Sequence, residues 1–292
     1  MTHPPAAELH RCHHDPRFSF ALALPAPGRA PPRGFVVSIH DSERKHEVFA
    51  TGFADFAREH RFAILSPVFP VGVLGDGNPD GYKFLHEKEL RYDALLNAML
   101  AQAADLTGAR TPTIVMHGYS GGAQFAHRYL LLHPQRLAAV SIASPGEVTL
   151  PDDELPWWGG VANTQALFGQ PVDWQAVAQV DIHLSVGEED VSTEPLKEQP
   201  PSHFWRDDAE RLASHRKDRL ATLRDAWADV GVDSHLELLP GVAHGDGHRS
   251  AMARAAVFFQ RCLRGTRRPE AGVMARSRPV AGVMARTREP QA

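Results

Sequence analysis

Cysteine is nearly absent from this chain: there are two in 292 residues, Cys12 and Cys262. Two thiols placed toward opposite ends make no disulfide framework of the kind small secreted domains depend on, so free thiols in a reducing compartment are expected. A surplus of one charge is lacking too. The formal net charge is −4, from 31 basic and 35 acidic residues. No basic stripe with interleaved aromatics is available to follow a phosphate backbone, so no nucleic-acid partner is expected. No apolar run approaches the ~20 residues of a helical membrane span, so none of the chain is expected in a membrane. The opening stretch, MTHPPAAELHRCHHDPR, has no apolar core of a signal peptide. In the FSFALALPAPG segment the apolar residues come after polar ones and run into Pro25, which reads as a strand and not as a leader. A cytoplasmic location follows by default.

The length suits one large α/β domain with a full core. Strand-length apolar runs lie at 17–24, 34–39, 62–65, 113–117, 137–142, 181–186 and 232–239. Helical spacing lies between them, over 48–60, 87–106, 123–132, 204–230 and 248–263. This alternation predicts a mostly parallel central sheet with helices on both faces. The rhythm breaks over 146–178, where prolines, glycines and the pair Trp157-Trp158 mark an irregular insertion. Its tryptophans either pack it down onto the sheet or wall a pocket. The expected organisation is a flexible leader (1–16), the domain (17–264) and a disordered tail (265–292). The tail holds a near-repeat, RPEAGVMARS then RPVAGVMART.

Two clusters raise the question of a metal. His10, Cys12, His13 and His14 have no second half at ligand spacing, so they read as part of an exposed leader. Asp76, Asn78, Asp80, Gly81 and Glu87 match the spacing of a calcium loop. Pro79 and Lys83 fit that loop poorly and no suitable helix precedes Asp76, so a surface or rim loop is the expectation.

The most informative stretch is TPTIVMHGYSGGAQFAHRYLLL. An apolar strand runs into Gly118-Tyr119-Ser120-Gly121-Gly122 and then a helix, which is the context the G-x-S-x-G nucleophile elbow requires. A serine hydroxyl needs a base, and an imidazole needs an acid that sets its tautomer. In such a sheet the order is serine, acid, histidine, each just past the end of a strand. Ser120, Asp190 and His244 satisfy it. The rivals are Glu188, Glu189 and Glu147 for the acid, and His248 for the base; His117 belongs to the strand. The oxyanion donors expected are the backbone N–H of Gly121 and that of Asp41 or Ser42, after the strand 34–39. Tyr119, Trp157 and Trp158 are candidate pocket residues.

With these motifs the chain resembles the α/β-hydrolase superfamily over residues 17 to about 263. The resemblance rests on Gly118–Gly122, on Gly187-Glu188-Glu189-Asp190, on Pro240-Gly241-Val242-Ala243-His244-Gly245, and on Ser38-Ile39-His40. The pattern is more loosely similar to the branch containing polyhydroxybutyrate depolymerases, feruloyl esterases and carboxylesterases. The resemblance implies a serine hydrolase that cleaves a small-molecule carboxylic ester through an acyl-enzyme and needs no cofactor or metal. The same triad also serves amidases, peptidases and acyltransferases, and the fold also serves non-catalytic binding proteins. One position departs: the superfamily usually has His-Gly at the oxyanion loop, and this chain has His40-Asp41.

Overall fold

The structure is a computed structural model that describes residues 7–25, 30–191 and 215–265. In chain order the elements are β1 (Glu8–Arg11), β2 (Ser19–Ala23), β3 (Gly34–Ile39), α1 (His46–Thr51), α2 (Ala54–His60) and β4 (Phe62–Val68). There follow β5 (His86–Glu87), β6 (Leu90–Arg91), α3 (Tyr92–Thr107), β7 (Thr113–Tyr119), α4 (Gly121–Leu132) and β8 (Ala139–Ala143). The remainder is α5 (Thr164–Phe168), α6 (Trp174–Val177), β9 (Asp181–Gly187), α7 (Arg216–Asp229), β10 (His235–Leu239) and α8 (Gly247–Leu263).

Eight strands form one sheet in the order β1-β2-β4-β3-β7-β8-β9-β10. Strands β4 through β10 of this sheet pair in parallel, and β2 and β1 add an antiparallel edge. The side chains alternate between two cores, as the pleat requires. Phe35, Val37 and Ile39 of β3 and Met116 of β7 face one core, built from α3, α4 and α7 through Leu96, Met99, Phe125, Tyr129, Leu223 and Trp227. Val36 and Val115 face the other, built from α1, α2 and α8 through Phe49, Phe56, Ala255 and Phe259. Every residue of β3 and β8 is buried, which is why these strands read as unbroken apolar runs. Each large side chain so buried contributes roughly 1.5–3 kcal/mol. Among the described residues no helix is long and apolar enough to cross a membrane.

The expected leader is corrected within residues 8–14. β1 pairs with β2 from Glu8↔Leu22 to Arg11↔Ser19. Cys12 is buried, and the Gln102 side chain on α3 binds Arg11 O and the His13 N–H. An edge strand held by backbone bonds needs no apolar alternation, so its sequence carries no sign of it. Both cysteines are free. The helix expected over 48–60 is two helices, α1 and α2, separated at Gly52. The helix expected from 87 starts at Tyr92, because residues 86–91 fold into the β5–β6 hairpin. Of the helix expected over 204–230, only α7 lies among the described residues, and residues 266–292 of the expected tail lie outside them. The insertion carries α5 and α6, and the stretch before α5 is closed on itself by the bond from the Leu150 N–H to Gly159 O.

Candidate active site

The elbow is built by close approach of backbone. A side chain on Gly118 would collide with the Gly122 carbonyl, and one on Gly122 with the carbonyls of Ile39 and His40. Strand β7 can therefore turn directly into α4 against the end of β3. Ser120 sits at the turn with φ 54° and ψ −113°, a strained conformation for a residue with a side chain. Its N–H donates to Ala143 O at 2.9 Å, and its carbonyl accepts from Ala123 and Gln124 in the first turn of α4. The serine thus crowns the N-terminus of a helix, where the backbone dipoles favour negative charge.

Loops after β9 and β10 bring the other two residues to it. Ser120 Oγ lies 3.1 Å from His244 Nε2, and His244 Nδ1 lies 2.8 Å from Asp190 Oδ2. The acceptor-only carboxylate assigns the ring proton to Nδ1, which leaves the Nε2 lone pair for the serine proton. Asp190 is buried, while Glu188 and Glu189 are exposed. Burial by itself would raise the Asp190 pKa; the hydrogen bond from His244 and the charges of His244 and Arg216 outweigh it and hold the carboxyl below its usual value. Glu147 is buried elsewhere, with Arg128, Lys83 and Arg219 as its charge partners, and burial raises its pKa. His248 packs against Phe49 and Tyr119, and His117 bonds Ser141 inside the sheet.

Two further residues complete this arrangement, Arg216, which the sequence did not mark, and Tyr119, which it marked for another role. Arg216, at the start of α7, donates to the second Asp190 oxygen at 3.2 Å. Tyr119 was a pocket candidate, and the structure corrects it: the side chain is 3% exposed and supports His244 from behind. Its hydroxyl donates to the His244 carbonyl at 2.5 Å, and its ring stacks on the imidazole at 5.3 Å and 25°. No local signal distinguishes these roles, since Arg216 and Asp190 meet only through tertiary folding.

The Asp41 side chain turns back onto its own loop. Its Oδ1 accepts from the Glu43 N–H at 3.0 Å, and its carbonyl accepts from Arg44 N–H and His40 Nδ1. The Asp41 carboxylate is thereby occupied. Arg44 ties the loop down: Nε donates to Phe69 O, Nη1 to Ser42 O, each at 2.8 Å, and Nη2 to Pro79 O. Ser42 Oγ reaches the flank of Gly121.

The tryptophans of the insertion pack it down. Trp157 Nε1 donates to Phe84 O at 2.7 Å and its ring meets Phe168 edge-on. Trp158 is buried against Phe84 and the guanidinium of Arg128. Arg128 is itself fully buried, bonded to Thr149, Lys83 O and Gln124, and burial lowers its pKa to about 9. The acidic groups of the 76–87 loop are partnered separately. Glu87 accepts from Asn78 Nδ2 at 2.5 Å and Tyr92 Oη at 2.6 Å, while Asp76 pairs with Lys88 and Asp80 with Lys83. Among the described residues no group of three or more histidine, cysteine or acidic side chains is placed to hold a metal ion.

No protein-family model and no curated protein matches this sequence. Solved structures do. One is a poly(3-hydroxybutyrate) depolymerase, LpqC, from Bordetella parapertussis, at TM-score 0.68 and 22% identity, covering 91% of this chain and 92% of that one. Another is poly(aspartic acid) hydrolase-1 from Sphingomonas sp. KT-1, at TM-score 0.66 and 20% identity, covering 88% and 98%. A third is an S-formylglutathione hydrolase from Staphylococcus aureus, at TM-score 0.56 and 14% identity, covering 88% and 98%. With its mostly parallel eight-stranded sheet and this set of neighbours, the chain has the α/β-hydrolase fold.

Proposed function

We propose that this protein is a serine hydrolase that cleaves a small-molecule carboxylic ester through an acyl-enzyme. One observation carries the reading: Ser120, His244 and Asp190 stand in hydrogen-bonded sequence at 3.1 and 2.8 Å on a strained elbow. Ser120 Oγ attacks the carbonyl carbon as His244 Nε2 takes its proton. Asp190, held by Arg216, keeps the imidazole oriented and stabilises its cationic form. The oxyanion of the tetrahedral intermediate is met by the Gly121 N–H at the head of α4, with the N–H of Asp41 or Ser42 from the facing loop. His244 then returns the proton to the departing alkoxide. Water, deprotonated by the same nitrogen, releases the acid and restores Ser120. Each step moves protons between groups already in place, so the reading invokes no cofactor or metal. The neighbours named as a depolymerase and as hydrolases agree with it. We also place the protein in the cytoplasm, without a nucleic-acid or membrane partner, in keeping with its two free thiols.

The test is the initial rate on p-nitrophenyl esters of increasing acyl length, with Ser120→Ala beside the parent. The variant should fold normally and lose about 10⁴-fold or more in kcat. Equal turnover by parent and variant refutes the assignment of Ser120.

A further inference from the structure

A hydroxyl without a well-formed hydrogen bond lies beside the serine. Tyr82 sits in a short 3₁₀ turn, Gly81–Phe84, and is 1% exposed. Its ring is fixed on several sides. Phe69 stacks on it at 5.5 Å, His40 lies at 5.1 Å, and the Arg44 guanidinium lies 5.3 Å from its centre. Its Oη is buried and makes no well-formed hydrogen bond, with the Ser42 hydroxyl as the one group that bears on it. Leaving a buried hydroxyl poorly bonded is unfavourable, and such a group in a folded protein calls for a reason.

Its position supplies one. A Cβ added to Gly121 would collide with Tyr82 Oη and would lie 2.9 Å from Ser42 Oγ. The two hydroxyls therefore converge on the flank of Gly121, the residue that follows Ser120 and opens α4. They differ in access: Ser42 is half-buried, whereas Tyr82 is enclosed. Asp41 turns its carboxylate to the Glu43 N–H, so Ser42 is the side chain of that loop that reaches Gly121. Arg44 holds Ser42 in place through its carbonyl.

We propose that Ser42 and Tyr82 form a hydroxyl pair that completes the oxyanion hole. The Ser42 Oγ–H donates to the developing oxyanion beside the Gly121 N–H. The Tyr82 Oη–H donates to Ser42 Oγ from behind and so directs the serine proton into the site. Both protons stay on their own oxygens; only hydrogen bonds form. Ser42 is then a catalytic residue and Tyr82 a positioning residue. The Tyr82 proton finds its acceptor when Ser42 turns toward the oxyanion, so the pair acts on the transition state more than on bound substrate. This rests on the reading of Ser120 as the nucleophile.

The experiment compares the parent with Ser42→Ala, Tyr82→Phe and the double variant. It reads kcat and KM on a p-nitrophenyl ester, the Tm, and the rate at which a fluorophosphonate modifies Ser120, followed by intact mass. The phosphonyl oxygen occupies the same hole, so labelling reports on it independently of turnover. Ser42→Ala is expected to lower kcat and labelling by about 10²-fold with KM within about twofold. Tyr82→Phe should lower both by about tenfold, with a Tm equal to or above that of the parent, because it removes a poorly bonded buried hydroxyl. The double variant should be no slower than Ser42→Ala, since Tyr82 acts through Ser42. Parental labelling rates in both single variants overturn the proposal, as does a Tyr82→Phe that loses rate and Tm together, or a fully additive double variant. A parent that is never labelled defeats the Ser120 reading and this proposal with it. A labelled parent with unaffected variants defeats this proposal alone.

Discussion

Mild acid should destabilise this protein through its buried histidines. His40, His117, His127 and His183 are all buried. Burial lowers the pKa of His40 and His183 to about 4 and of His117 to about 3, and it lowers that of His127 well below the ordinary value. All four rings are hydrogen-bonded, His127 to Ala123 O and to the Thr149 N–H. His40 donates from Nδ1 to Asp41 O and accepts the Phe69 N–H at Nε2, while His117 and His183 both meet Ser141 Oγ, at 3.2 and 3.0 Å. In the unfolded chain each titrates near ~6.5. The folded value lies below the unfolded one, so the unfolded state binds more protons between the two, and stability is lost as pH falls from ~6.5 toward ~4. At about pH 5 an unfolded histidine is favoured by RT times the logarithm of ~30, or ~2 kcal/mol per ring. Two such rings remove about 4 kcal/mol from a net stability that is typically 5–15 kcal/mol. The assay is urea unfolding followed by tryptophan fluorescence at about pH 8 and pH 5, for the parent and for His183→Gln; the fully buried Trp227 is a natural reporter. The parent should lose several kcal/mol between the two pH values, and His183→Gln should lose ~2 kcal/mol less. Identical losses in parent and variant would show that burial of His183 does not set the acid limb.

Tyr119→Phe keeps the ring stacked on His244 and deletes the hydrogen bond to its carbonyl; kcat should fall about tenfold with KM nearly unchanged, checked by steady-state kinetics. Unchanged kcat would place the His244 loop under other control. Arg216→Met removes a positive charge beside the hydrogen-bonded Asp190–His244 pair, so it should raise the Asp190 pKa and shift the acidic limb of kcat/KM, which reports protonation of the pair, to higher pH, with about a tenfold loss at neutral pH. A pH–rate profile superimposable on the parent's counts against that role.

The elbow, the buried parallel strands and the chain order of Ser120, Asp190 and His244 were read from the sequence because their determinants are local. Gly118 and Gly122 are required wherever a strand turns back this tightly, the buried strands announce themselves as unbroken apolar runs, and Asp190 and His244 each stand at the end of such a run. Other features were invisible because they join residues far apart in the chain without a pattern at either end. β1 is held to β2 by backbone bonds that any polar sequence can make. Arg216 becomes a partner of Asp190 only when α7 packs beside β9. Tyr119 could have faced a pocket or a backbone, and only the placement of the His244 loop decides for the backbone. The same holds at Asp41, where sequence shows a carboxylate near the expected oxyanion and tertiary structure shows it turned onto Glu43. Local sterics and hydrophobic periodicity thus set the scaffold and the chain order of the candidate groups, while long-range packing decided which neighbours hold those groups in position.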